Sequence, residues 1–147
     1  MSKETDAYDM TKKIADAPRE QRQTMLTERL QMIASQPEEQ RVQSVKGMVM
    51  GMSQLDSKLR STFQCSLAEA LTERSDAERE AIYIGRAKAG LLVTKEVDSL
   101  VYQSMVDEVF NWPPERRQKI LGEIENAHEK LNLAKPDFQM MLKKAGA

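Results

Sequence analysis

The spacing of apolar residues along the chain predicts helices from end to end. Strict alternation of apolar and polar residues, which is typical of a half-buried strand, is not sustained over the length of a strand anywhere in the sequence. Residue types that favour helices, chiefly Gln, Glu, Lys, Arg, Ala, Leu and Met, fill most positions. We therefore expect an all-α protein, a helical bundle of five to seven helices.

Three helix starts share one local pattern. The pattern P-x-E-x-R occurs at residues 18–22, 37–41 and 113–117. Proline suits the first position of a helix because its missing N–H has no intrahelical partner there, and the helix dipole favours a glutamate in the first turn. Each of these segments is therefore predicted to begin a helix.

Two further starts use different chemistry. Ser75 and Glu78 can form a capping box, and Thr94 follows Gly90, which is suited to ending the preceding helix. The five starts lie at positions 18, 37, 76, about 95 and 113. Most intervals are close to 19 residues and the longest is close to two such units. One interpretation is therefore a short array of α-hairpin repeats of about 38 residues each.

The segment over residues 37–73 favours a different interpretation. At 100° per residue its apolar positions fall within one arc of about 140°. This arc keeps its phase through Asp56 and Ser57, where a turn would normally break it. We therefore predict one long central helix over residues 37–73, about 55 Å long at 1.5 Å per residue. The array of α-hairpin repeats is the alternative.

The side of this helix opposite the apolar arc carries Gly47 and Gly51. Glycine inside a helix costs about 1 kcal/mol relative to alanine, but its small size lets a second helix approach closely. The helix that begins near residue 76 has a matching row of small residues, which includes Ala81 and Gly85. Our hypothesis is that these two rows pack against each other.

The remaining segments complete the predicted domain organisation. Residues 16–134 are predicted to form the helical domain. An arm or short helix over residues 1–15 precedes it, and a short helix or tail over residues 135–147 follows it. The helix over residues 95–111 is apolar nearly all round, which is typical of a helix that is central or covered by a partner.

The charge balance argues against a nucleic-acid partner. Lys and Arg number 22, Asp and Glu number 23, and the two signs are interleaved along the chain. Nucleic-acid binding relies on an excess of positive charge on one surface. No apolar stretch approaches the roughly 20 residues of a transmembrane helix, and the N-terminus lacks the pattern of a secretory signal. We expect no transmembrane segment and a cytoplasmic location.

Sequence motifs for catalysis, metals and cofactors are missing. One histidine and one cysteine exclude multi-histidine and CxxC metal sites, and neither glycine-rich phosphate-binding motif occurs. We expect no metal, no cofactor and no enzymatic activity. His128 lies at the edge of an apolar face and is interpreted as a packing or surface residue. Cys65 is interpreted as a small buried apolar residue.

The ten methionines bear on function. Three of them are spaced as in a Met-x-Met-x-Met copper site, but alternate residues of a helix point about 200° apart and their sulfurs cannot meet at one ion. Methionine side chains can instead repack around different partners. We predict a non-enzymatic, self-associating module, a dimer, that presents an apolar groove to a protein partner. A helical protein that binds a lipid, pigment or other apolar ligand is the alternative, and an enzyme with a site not visible in the sequence is the third. The candidate partner-binding residues are Met48, Met50, Met52, Trp112, Phe138 and Met141.

Overall fold

The computed structural model describes residues 3–147, with side chains from residue 6 onward. These residues form eight helices and no strand, so the predicted all-α class is confirmed, with more helices than the five to seven predicted. The helices are α1 (Lys3–Asp16), α2 (Arg19–Ser35), α3 (Glu38–Gln54), α4 (Ser57–Thr72), α5 (Asp76–Gly90), α6 (Lys95–Val109), α7 (Pro114–Lys130) and α8 (Phe138–Ala145). Within this described part, no helix is both long enough and apolar enough to cross a membrane.

Helices α2 to α7 begin at a constant interval. Their first residues are 19, 38, 57, 76, 95 and 114, so each helix begins 19 residues after the one before it. Two consecutive helices with their connections make a unit of 38 residues, and three such units follow one another. This is the spacing that an array of α-hairpin repeats requires.

The prediction of one helix over residues 37–73 is wrong. Helix α3 ends at Gln54, and the backbone is extended at Leu55 and Asp56, with ψ angles of 150° and 164°. The Asp56 carboxylate then caps α4 by accepting a hydrogen bond from the backbone N–H of Leu59 at 2.9 Å. The apolar phase survives this break because it records which residues are buried and not whether the backbone between them is helical.

A recurring arginine holds these short connections. At the fifth position of the 19-residue unit, a guanidinium donates to carbonyls at the end of the preceding helix or just beyond it. In Arg60, Nε donates to Met52 O at 3.0 Å and Nη2 donates to Leu55 O at 2.6 Å. These carbonyls lack intrahelical partners, and the helix dipole favours a cation beside them. The arginines that occupy this position are Arg22, Arg41, Arg60, Arg79 and Arg117.

The helices form two layers around one core. The odd-numbered helices pack side by side in the order α1, α3, α5, α7, and the even-numbered helices pack in the order α2, α4, α6, α8. Across the core, α1 contacts α4, α2 contacts α5, and α3 contacts α6. The ninth position of the 19-residue unit is buried in every unit, by Leu26, Val45, Gln64, Tyr83, Tyr102 and Leu121.

Helix α1 packs against the glycine-bearing side of α3. A Cβ atom built on Gly51 would lie 2.9 Å from the carbonyl oxygen of Ala7 and 2.9 Å from Cβ of Thr11, which is closer than real Cβ contacts. A Cβ atom built on Gly47 would meet Cβ of Ala7 at an ordinary 3.4 Å. The approach of α1 therefore depends on the missing side chain of Gly51.

The expected pairing of the two rows of small residues is corrected. Gly85 of α5 faces Arg41 and Val45 of α3, at 3.4 and 3.5 Å from a built Cβ atom, while Ala81 is half-buried. Helix α3 is an inner helix of its layer, with α1 on one side and α5 on the other. The glycines of α3 therefore face α1, and a different side of α3 faces α5.

Candidate functional site

The predicted partner-binding residues lie in different places, and two of them are in the core. Met52 is buried on the side of α3 that faces the other layer. Phe138 is buried at the first residue of α8, where its ring meets the edge of the Tyr102 ring with centroids 5.8 Å apart. Burial corrects the prediction for these two residues, because a partner cannot reach them.

The other four predicted residues are half-buried. Met48 and Met50 are on α3, and Met48 packs against the core. Trp112 lies between α6 and α7, with the guanidinium carbon of Arg116 at 4.0 Å from its ring centroid. Met141 differs from these because it lines a groove at the surface.

This groove lies between the N-terminal half of α6 and residues 135–144, and we call it the α6–α8 groove. Its volume is about 530 Å³. Its apolar surface includes Leu100 of α6, which is 39% exposed, and Met140 of α8, which is 54% exposed. Among the residues that the structure describes, six large apolar side chains are exposed. Four of these six lie between residues 91 and 140: Leu91, Leu92, Leu100 and Met140.

The groove exists because α8 is late and short. The 19-residue interval would start the next helix at residue 133, 19 after Pro114, whereas α8 starts at Phe138. Helix α8 has 8 residues, against 15 in α6. Gln103 of α6 holds it by donating from Nε2 to the carbonyl oxygen of Met141 at 3.0 Å. Helix α8 therefore covers part of α6 and leaves Leu100 accessible.

Charged side chains of both signs border the groove. The acidic residues are Glu96, Asp98 and Asp137, and the basic residues are Lys135 and Lys144. Asp137 also caps α8 by accepting from the backbone N–H of Met140 at 3.1 Å. Lys135 pairs with Glu129, and this hydrogen bond raises the pKa of Lys135. The groove thus has an apolar floor and a mixed charged rim.

Asp98 stands where the other units have the recurring arginine. Its carboxylate accepts instead from Nη1 of Arg86 at 2.6 Å, and the guanidinium of Arg86 stacks on the Tyr102 ring at 3.9 Å. Burial raises the pKa of Tyr102 to about 12. The buried hydroxyl of Tyr102 has no hydrogen-bond partner among the described residues. This exception to the arginine pattern lies beside the groove.

His128 and Cys65 differ in how they match expectation. His128 is buried, and its Nδ1 atom lies 2.9 Å from the carbonyl oxygen of Ile124, as in a packing residue. Cys65 is exposed, so its predicted burial is wrong. The neighbouring Gln64 takes the buried position, because its amide donates to the carbonyl oxygen of Val101 at 3.0 Å and to the hydroxyl of Ser104 at 2.9 Å.

No group of three or more acidic, histidine or cysteine side chains is placed to hold a metal ion in the described part of the chain. No protein-family model, curated protein or solved structure matches the sequence or the fold. Fold and groove therefore define the protein by architecture alone, as an all-α protein of two helical layers with one α6–α8 groove.

Sequence reasoning missed the exposed residues of this groove but contained a signal for it. The helix over residues 95–111 is apolar on more sides than one neighbour can cover. The residue that remains uncovered is Leu100. Which of the apolar residues of α6 stays exposed depends on the length of α8, and α8 is distant in sequence.

Proposed function

We propose that this chain is a non-enzymatic interaction module that self-associates through the α6–α8 groove. The observation that carries the proposal is the placement of Leu100, Met140 and half-buried Met141 along one concave surface. Single exposed apolar residues are ordinary on protein surfaces. Several of them with a charged rim are typical of the centre and border of a protein interface.

A second copy of the chain suits the charges of this groove. In a two-fold symmetric pair the same surface of each copy contacts the other, so opposite charges within one surface can pair twice. Glu96 and Lys144 are both exposed and both line the groove. The net charge of the chain is −1, so two copies repel each other little. We propose that Glu96 of each copy pairs with Lys144 of the other.

Substitutions at exposed apolar residues test this proposal without disturbing the core. We expect the wild-type chain to sediment as a dimer at micromolar concentration and Met140→Glu to sediment as a monomer. Met32→Glu is the control, because Met32 is similarly exposed, at 41%, but lies on α2. Circular dichroism verifies that both variants are folded. A monomeric wild-type chain, or a dimeric Met140→Glu variant, contradicts the proposal.

Charge reversal tests the symmetric pairing separately. Glu96→Lys and Lys144→Glu should each weaken the dimer, because each places like charges opposite one another in both contacts. The double variant should recover wild-type affinity. If the single variants weaken the dimer and the double variant does not recover it, self-association stands and the Glu96–Lys144 pairing is refuted.

The lipid or pigment alternative has less support. Sites for such ligands have volumes of about 300–1,000 Å³ and bury most of the ligand surface. The apolar cavity inside this protein has a volume of about 60 Å³. A cavity of that size is suited to a much smaller molecule.

A further inference from the structure

An internal cavity lies at the centre of the molecule, between the two layers of helices. Its volume is about 60 Å³, and sixteen of the described residues, drawn from α2 to α7, line it. One water molecule needs only about 10–15 Å³ of such space. The cavity is therefore large enough for a molecule of a few heavy atoms.

The wall of the cavity offers almost no polar contact. Arg86 and Gln64 are among the lining residues, but their polar atoms are engaged elsewhere. The Arg86 guanidinium binds the Asp98 carboxylate at 2.6 Å, and the Gln64 amide donates to the carbonyl oxygen of Val101 at 3.0 Å. A buried water needs two to four polar partners. The cavity is thus suited to an uncharged apolar molecule rather than to water or an ion.

One methionine connects the cavity with the surface. Of the sixteen described lining residues, fifteen are buried and Met48 is half-buried. Met52 and Met105 also form part of the wall. Methionine side chains are unbranched and adopt many conformations, so these three can move aside with little strain. Met48 is therefore the side chain that an entering molecule would displace.

We propose that this cavity is a binding site for one small, uncharged, apolar molecule of a few heavy atoms, which enters past Met48. The site is separate from the α6–α8 groove and does not depend on self-association. It lies where the two layers meet, so a bound molecule contacts helices of both.

Xenon is the probe, and the methionine methyl groups, isotope-labelled for NMR, are the reporters. With increasing xenon pressure, the methyl resonances of Met48, Met52 and Met105 should shift and reach saturation. The resonances of exposed methionines, such as Met10 and Met32, should not saturate. The absence of saturable shifts at the three cavity methionines overturns the proposal.

Filling the cavity provides a matched pair of variants. Val49→Ile adds one methylene group at a fully buried position of the cavity wall and should abolish the saturable shifts. Val109→Ile adds the same group at an equally buried position of α6 outside the wall and should preserve them. Val101→Ile replaces Val49→Ile if the latter does not fold. Saturable shifts that persist in a folded cavity-filling variant contradict the proposed location.

The entry route has its own test. Met48→Ala should increase the rate of xenon exchange several-fold, because the side chain between the cavity and the surface is shortened. Met50→Ala on the same helix is the control, since Met50 is half-buried and does not line the cavity. An unchanged exchange rate in Met48→Ala refutes the entry route and leaves the binding site to be judged by the saturable shifts.

Discussion

Replacing Asp56 by proline distinguishes two separate helices from one continuous helix. Asp56 occupies the first position of its 19-residue unit with a φ angle of −63°. Proline naturally occupies the same position in three other units, at Pro18, Pro37 and Pro113, with φ angles of −57°, −56° and −51°. The preceding Leu55 is extended, with a ψ angle of 150°, as a residue before proline must be. The backbone around Asp56 therefore accepts proline.

The expected change in stability is small. The substitution removes the hydrogen bond from the backbone N–H of Leu59 to the Asp56 carboxylate, and losing an N-cap side chain costs about 0.5–2 kcal/mol. Proline also restricts the unfolded chain, which stabilises the fold by about 0.4–1 kcal/mol where φ is compatible. The net change should therefore lie within about 1 kcal/mol. Proline inside a continuous helix instead costs about 3 kcal/mol or more, because a hydrogen bond is lost and the ring clashes with the preceding turn.

Urea denaturation followed by circular dichroism measures this difference. Thr62→Pro is the matched control, because Thr62 lies inside α4, and this variant should lose about 3 kcal/mol or fail to fold. If Asp56→Pro is as destabilising as Thr62→Pro, residues 55 and 56 do not separate two helices, and the two-layer arrangement is refuted with them.

Three further predictions concern stability. Arg60→Ala should lower the free energy of unfolding by about 2 kcal/mol, because charged hydrogen bonds contribute about 1.5–3 kcal/mol each and water partly replaces those made by this half-buried side chain; a loss below the error of urea denaturation contradicts the role of the recurring arginine. Gly51→Ala should lower the thermal midpoint, because its Cβ atom would clash with α1, whereas Gly47→Ala should leave the midpoint equal or raise it; the opposite order refutes the packing of α1. Because burial raises the pKa of Tyr102 from 10.0 to about 12, the folded protein keeps a proton that the unfolded chain loses, so stability should fall as pH rises through this range. Tyr102→Phe should make that fall shallower, and an unchanged slope would exclude Tyr102 as its source.

Helix starts were predictable because their chemistry is local. The prolines at positions 18, 37 and 113 each precede the first residue of a helix, and Ser75 forms the predicted capping box. Asp56 is a cap of the same kind, but the unbroken apolar phase of residues 37–73 outweighed it. A unit of 19 residues is about 5.3 helical turns, so the buried positions of consecutive units overlap on a helical wheel even where the helix ends.

The packing partners and the groove could not be predicted because they depend on residues far apart in sequence. Gly51 is accessible to any helix, and only the assembled layer places α1 beside it. Cys65 and Gln64 are adjacent, and the carbonyl oxygen of Val101 determines that the polar one is buried. The recurring arginines resemble ordinary charged residues of a first turn until the preceding helix end is present to accept their hydrogen bonds.

The mass of the wild-type chain in solution tests the proposed function most directly. Light scattering over a series of concentrations should give a mass that rises from the 16.7 kDa of one chain toward twice that value. Added salt should lower the mass at a given concentration if Glu96 and Lys144 pair between copies. A mass of 16.7 kDa at every concentration, up to hundreds of micromolar, contradicts self-association through the α6–α8 groove.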